Sequence, residues 1–268
     1  MAHADELLVG GVTVDLTRSG YVTGTNIQGT VYYEANERML KLTNATITTD
    51  MIGIAADVSR GSSLDFRVYL SSKNTINSGR VSVRADKNIL FCGNGDLKLN
   101  GPGNFINKCK MTVYACRVTV NSTANDAFHS MDNGNADLEL AYHGALKATC
   151  KETVLKNFND IKYSTGKLLS GSPTGTEMMI GEDYELKIGG IKVTPFNRDE
   201  VSGPNIEGKV SVSFVDNYSG VKISLNNAKI SNSNYGIDYN NQEKDIMIIR
   251  ILPFPSPWAS TRTSDARM

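Results

Sequence analysis

The chain has 268 residues, enough for one large or two ordinary domains. Lys plus Arg number 28 and Asp plus Glu number 28. That balance excludes a generic nucleic-acid or anionic-membrane binder, which needs a basic excess. The 24 glycines, the many Asn and Ser and the scarcity of long apolar runs bias the fold towards strands and turns. No stretch is long enough to span a bilayer. The opening MAHADELL carries neither the basic nor the apolar segment of a signal peptide.

The first element in chain order is a β-rich opening segment, taken as residues 1–50. It contains VGGVTV from Val9 to Val14 and VTGTNIQGTV from Val22 to Val31. Much later IGGIKV (Ile188 to Val193) and VSGPNIEGKV (Val201 to Val210) say nearly the same thing. Between Gly10 and Tyr33 a constant offset of 179 gives nine identities in 24 positions, where chance gives roughly one or two. The second copy then gains four residues, and LKLTNATI (Leu40 to Ile47) answers ISLNNAKI (Ile223 to Ile230). An insertion between two strands is expected to lengthen their turn and leave the paired faces alone. The two copies are therefore expected to follow one backbone path.

Residues 51–166 follow as a series of short alternating runs. LDFRVYL places Leu64, Phe66, Val68 and Leu70 on one face, and RVSVRA turns Val81 and Val83 the same way. DLKLNG, KMTVYACRVTV and ADLELAY continue the alternation, so Leu97, Leu99, Val113 and Leu138 join one expected core. The turns between them are rich in Asn and Gly. An antiparallel sandwich and a parallel β-helix both accept this pattern. Hairpins would bring regular two-residue turns, whereas these turns are longer and uneven, which favours the β-helix. ETVLKNFNDI (Glu152 to Ile161) spaces its apolar residues as a helix would, or as a β-helix rung with a bulge. GKLLSGSPTG (Gly166 to Gly175) reads as a linker, taken as residues 167–181, and residues 182–252 as a truncated second copy of the opening segment. The apolar strands of that copy would lack their natural cover, which makes self-association through it an expected partner mode. The final residues 253–268 carry clustered prolines and no alternation, so they read as an irregular tail.

The four cysteines, Cys92, Cys109, Cys116 and Cys150, fit no zinc spacing and are read as reduced and buried, with two disulfides as the alternative. The densest polar cluster is NSTANDAFHSMDNGN, Asn121 to Asn135. On a β-helix, residues one rung apart stack about 4.8 Å apart, so Asp126 could converge with Asp137 or Glu139. Asp126, Asp132 and Asp137 are the candidate metal ligands and calcium the metal their hard oxygens would take; the alternative reading is a solvated turn with no cofactor. Asp126 and His129 are candidate ligand-binding residues. So are Tyr69, Tyr114 and Tyr142, whose aromatic faces suit sugar rings. The Asn-x-Ser/Thr sites at Asn44, Asn121 and Asn217 read as accidental.

The ordered run of GGVTV, the VTG-NI-GTV pattern, L-L-NATI, Gly-Ile, L-S-KNTI and GDLKLNG resembles large surface or secreted proteins of gut bacteria described as carbohydrate-binding. The resemblance covers about two-thirds of the chain. It implies an all-β, right-handed parallel β-helix at the cell surface or outside the cell, with polysaccharide as partner. It does not imply calcium, because acidic DGI-like turns are represented only by NDAFHS, Asn125 to Ser130. The expected function is a non-catalytic module for polysaccharide binding or surface adhesion. The alternative is a lyase or glycoside hydrolase of the β-helix type. The paired Asp-Asp, Gly-His-Gly and Arg-Ile-Lys motifs of pectin hydrolases are missing, YHGAL around His143 being nearest. Arg117 and Lys147 are nominees for a lyase base, and no catalytic residue is assigned.

Overall fold

In the computed structural model the described residues are 5–57, 65–106, 110–130, 136–215, 220–231, 236–240 and 245–251. Leu64, Cys109, Asp132 and the tail that begins at Pro253 lie outside them. Every regular element among the described residues is a β-strand. The chain divides into two compact units, with the boundary between Asp183 and Tyr184.

The first unit opens with β1 (Glu6–Val9), β2 (Val12–Thr13), β3 (Gly20–Tyr21) and β4 (Ile27–Glu34). The chain then winds into coils. The first coil is β5 (Met39–Thr49), long enough to serve two sides, with β6 (Ile52–Asp57). The second is β7 (Phe66–Ser71), β8 (Lys73–Ser78) and β9 (Val81–Ala85), and the third β10 (Ile89–Gly93), β11 (Asp96–Gly101) and β12 (Phe105–Ile106). The fourth is β13 (Lys110–Tyr114), β14 (Arg117–Ser122) and β15 (Phe128–His129). The fifth is β16 (Ala136–Ala141), β17 (Ala145–Thr149) and β18 (Leu155–Lys156), and β19 (Phe158–Tyr163) begins another. A hairpin of β20 (Lys167–Gly171) and β21 (Glu177–Gly181) follows.

Corresponding strands of successive coils pair parallel and in register, which makes the unit a parallel β-solenoid. It has three faces. The first is β5, β7, β10, β13, β16 and β19; the second is the far half of β5 with β8, β11, β14 and β17; the third is β6, β9, β12, β15 and β18. Antiparallel strands cover both starting strands at one end, β4 on β5 and β1 on β6, and one face at the other, β21 on β17. The span expected to be a linker is thus a capping hairpin that buries Met178 and Ile180. An exposed edge left bare would invite pairing with other chains.

Period two now acquires its physical meaning. Leu40, Val68, Phe91, Val113 and Leu140 face inward at matching positions of the first face. Ile47, Ile76, Leu99, Val120 and Ala148 do the same on the second. Each of the expected core residues among the described ones is buried. ETVLKNFNDI is the rung with a bulge and not the helix: the pairing shifts between Ala136 and Asp137 opposite Phe158 and Asp160, and Asn157 takes the left-handed conformation there.

Buried asparagines stitch the coils together. Asn74, the second residue of β8, accepts from Ala45 N at 2.9 Å and donates from Nδ2 towards Asp96 O at 3.2 Å. It thereby joins the coil before its own to the coil after. Asn104 repeats the device, accepting from Val83 N at 3.0 Å and donating to Ala127 O at 2.8 Å.

The second unit comprises β22 (Leu186–Ile188), β23 (Ile191–Lys192), β24 (Ile206–Val215), β25 (Gly220–Ile230), β26 (Ile237–Tyr239) and β27 (Asp245–Ile251). It repeats several hydrogen bonds of the opening segment, although the β3–β4 pairing has no counterpart among the strand pairs of its described residues. Asn26 Nδ2 donates to Gly10 O at 3.1 Å and Asn205 Nδ2 to Gly189 O at 3.0 Å. Val22 N donates to Val31 O at 2.9 Å and Val201 N to Val210 O at 2.8 Å. Asn44 and Asn227 both take φ 48°, and Gly29 and Gly208 both take φ 78°. A Cβ on either glycine would lie 2.1 Å from the carbonyl oxygen of that asparagine. The four inserted residues do not lengthen the turn, as expected from sequence; they add two pairs, Phe214↔Val221 and Val215↔Gly220, to the hairpin. Two residues per strand preserve which face each neighbour presents.

Two outcomes follow. Phe91→Ala should destabilise the first unit by about 3–5 kcal/mol in urea denaturation, because the side chain is fully buried. Gly29→Ala and Gly208→Ala should each lower the melting transition of their own unit and spare the other, since both add a Cβ where backbone already stands.

Candidate functional site

The three candidate tyrosines lie on the outside of the first face. Lys41, Tyr69, Cys92, Tyr114 and Ala141 occupy matching positions of consecutive strands, so they form one outward column. Two strand spacings separate Tyr69 from Tyr114, roughly 10 Å. Tyr142 follows Ala141 at a corner in the left-handed conformation, and this turns its ring back over Tyr114. The two rings stack with centroids 5.1 Å apart and planes 13° apart. Tyr69, Tyr114 and Tyr142 are 38%, 40% and 58% exposed. Cys92 sits between Tyr69 and Tyr114, and burial pushes its thiol pKa up, which keeps the middle of the column uncharged. Beside this column Lys110 Nζ pairs with Glu139 at 2.9 Å.

Asp126 and His129 belong elsewhere. The outward positions of the third face run Arg84, Phe105, His129 and Lys156 through successive strands. Asp126, just before β15, is buried under this column. Its Oδ1 accepts from Thr153 N at 3.1 Å, and its Oδ2 lies 3.2 Å from Lys156 Nζ and 3.4 Å from His129 Nδ1. The Asp126 carboxylate, by hydrogen bond and charge, raises the Lys156 ammonium above the usual lysine range. The His129 ring packs against Phe105 with centroids 5.9 Å apart. These residues line a groove of about 320 Å³ together with Arg80, Asn125 and Glu152. The arrangement can orient an imidazole and place cations beside it.

The expected convergence of Asp126 with Asp137 or Glu139 does not occur. Asp137 and Glu139 stand on β16 of the first face, where Asp137 matches Lys110 and Asp160 and Glu139 binds Lys110. The rung-to-rung stacking argument fails because Asp126 and Asp137 belong to different strands of their coils. Among the described residues no group of three His, Cys, Asp or Glu could hold a metal. The nominated lyase bases are also displaced: Arg117 and Lys147 lie on the second face, and Arg117 Nη2 donates to Asp96 Oδ2 at 2.8 Å. His143 is tied to Glu182, 2.6 Å from Nδ1 to the carboxylate. Among the described cysteines, Cys92, Cys116 and Cys150 are free thiols. Cys116 is buried and its pKa is pushed far up by that burial, whereas Cys92 and Cys150 are only partly buried.

The second face carries a ladder. Asn77 Nδ2 reaches Thr48 Oγ1 at 3.3 Å, Asn100 donates to Asn77 at 2.8 Å and Asn121 donates to Asn100 at 2.9 Å. This accounts for Asn121 as a structural amide. Sequence reasoning misses Arg80, Phe105 and Lys156. The missing signal is the coil length, which would set Phe105, His129 and Lys156 in one column.

Comparison with protein-family models, with curated proteins and with solved structures finds no match.

Asp126→Asn should return the Lys156 pKa towards its ordinary value, read by NMR titration of the lysine side chain. It keeps the bond from Thr153 N and removes the charge that raises the ammonium.

Proposed function

We propose that the chain is a non-catalytic module of an extracellular or cell-surface protein that binds polysaccharide on the first face of its solenoid. The observation that carries this reading is the exposed group of Tyr69, Tyr114 and Tyr142 on the outside of the first face, with Tyr142 stacked on Tyr114. Tyrosine offers an apolar ring for the C–H faces of a sugar and a hydroxyl for its edge, at low cost in side-chain entropy. The ring column is bordered by Lys41 and by the paired Lys110 and Glu139, which can bond sugar hydroxyls. The resemblance of the opening segment and rungs to carbohydrate-binding surface proteins points the same way.

A glycan array probed with and without calcium tests the reading. Binding to a polysaccharide, weakened at least tenfold by Tyr114→Ala combined with Tyr142→Ala, is expected. Wild-type affinity in that double variant would overturn the assignment. Calcium dependence would show that a metal takes part.

A second reading, a lyase or hydrolase of the β-helix type, draws on the groove in which buried Asp126 orients His129 beside Lys156. A carboxylate-backed imidazole is a familiar general base. New reducing ends or unsaturated products from a polysaccharide panel, lost in His129→Ala, would favour it over simple binding.

A further inference from the structure

The outward column of the first face does not stop at Lys41. On β4, Tyr32 matches Lys41, and on β3, Tyr21 matches Tyr32. Partners directly opposite across a ladder share one side of the sheet. Tyr21, Tyr32, Lys41, Tyr69, Cys92 and Tyr114 therefore form one registered column over consecutive strands. Within it Tyr32, Tyr69 and Tyr114 fall on every second strand. The first and the last of these stations carry a second ring. Tyr21, 73% exposed, stands edge-on to Tyr32 with centroids 5.2 Å apart, and Tyr142 stacks on Tyr114. The hairpin does not need the aromatic at Tyr32, because the second unit builds the same ladder with Ser211 in that position.

We infer that this column is the binding track of a neutral, extended polysaccharide of β-1,4-linked pyranoses with both linkages equatorial, laid along the solenoid axis across the strands. The inference rests on the proposal that the first face binds polysaccharide, and it adds Tyr21 and Tyr32 to that site. In such a ribbon each sugar is turned over relative to the last, so like ring faces recur at every second unit. One unit advances by close to one strand spacing, and two by close to the roughly 10 Å between successive stations. The three stations span four strand spacings, about 19 Å, so a chain of about five sugars touches all of them. A coiled α-1,4-linked chain would leave the straight column. The chemistry along the track is neutral. Lys41 is paired with Glu34, and burial raises the Cys92 thiol pKa. The flanking column of Arg67, Leu90, Thr112 and Glu139 has no excess of either charge.

The test is calorimetric titration of the full chain with β-1,4-linked gluco-, manno- and xylo-oligosaccharides of two to six units. An α-1,4-linked glucose hexamer and a β-1,4-linked mannuronate hexamer are the comparison arms. At least one neutral β-1,4 series should bind, with affinity rising at least tenfold from dimer to hexamer, and both comparison hexamers should bind more weakly. Tyr32→Ser and Tyr69→Ala should each weaken the neutral hexamer at least fivefold and leave the dimer, held at Tyr114 and Tyr142, within twofold. Tyr32→Ser should keep the melting transition, because the second unit folds with serine there. A hexamer bound no tighter than the dimer, indifference to both substitutions, or preference for the α-linked or the mannuronate chain overturns the inference. The first-face reading survives those results if the Tyr114 and Tyr142 double variant still abolishes binding. No binding to any of these chains also overturns the inference, and the first-face reading falls with it only if the glycan array is empty.

Discussion

A coil of this solenoid cannot satisfy its own backbone. Each strand directs its N–H and C=O groups along the stack, so each needs the coil before it and the coil after it. Unpaired backbone groups cost free energy wherever water is excluded. The parallel registers of the three faces meet that need coil after coil. Towards the ends the chain changes tactic, and β4, β1 and β21 run antiparallel to continue the ladders of β5, β6 and β17. The buried asparagines belong to the same problem. Where the backbone turns a corner and leaves its ladder, Asn74 and Asn104 carry the hydrogen bonds across instead. Removing such an amide would leave buried groups on two other coils without partners, at about 1–3 kcal/mol each.

This stacking also decides which residues meet. Positions on one strand of a coil align with the same strand of the next, and never with a different strand. That separates Tyr69, Tyr114 and Tyr142 from Asp126 and His129, although Asp126 is closer in sequence to Tyr114 than Tyr69 is. The first face is an open aromatic surface and the third a groove with a satisfied buried carboxylate. They are suited to different tasks.

Much of the strand content is legible in the sequence. Alternation in LDFRVYL, DLKLNG and ADLELAY reveals the inward faces, because burial at period two leaves a direct imprint on residue choice. The duplication of the opening segment is legible too, since glycines at left-handed positions resist substitution. What alternation does not encode is which strand stacks on which. Successive first-face positions Phe66, Ile89, Met111, Leu138 and Ile161 are unevenly spaced, as corner loops differ in length while strands stay in register. Without the coil length, Asp126 and Asp137 look like neighbours, and Lys156 looks like any surface lysine. The capping hairpin reads as a linker because GKLLSGSPTG is rich in Gly and Ser, and its buried Met178 and Ile180 come only after that stretch.

In-register stacking makes the outer surface a ruler whose graduations are set by backbone hydrogen bonds. The interval between Tyr69 and Tyr114 is two of its marks, and Thr48, Asn77, Asn100 and Asn121 occupy four consecutive ones. Exchanging an outward side chain rewrites the chemistry at a mark without moving the mark, because the ladder beneath does not depend on that side chain. A surface of this kind can therefore change what it recognises one residue at a time while keeping constant the spacing at which it recognises it.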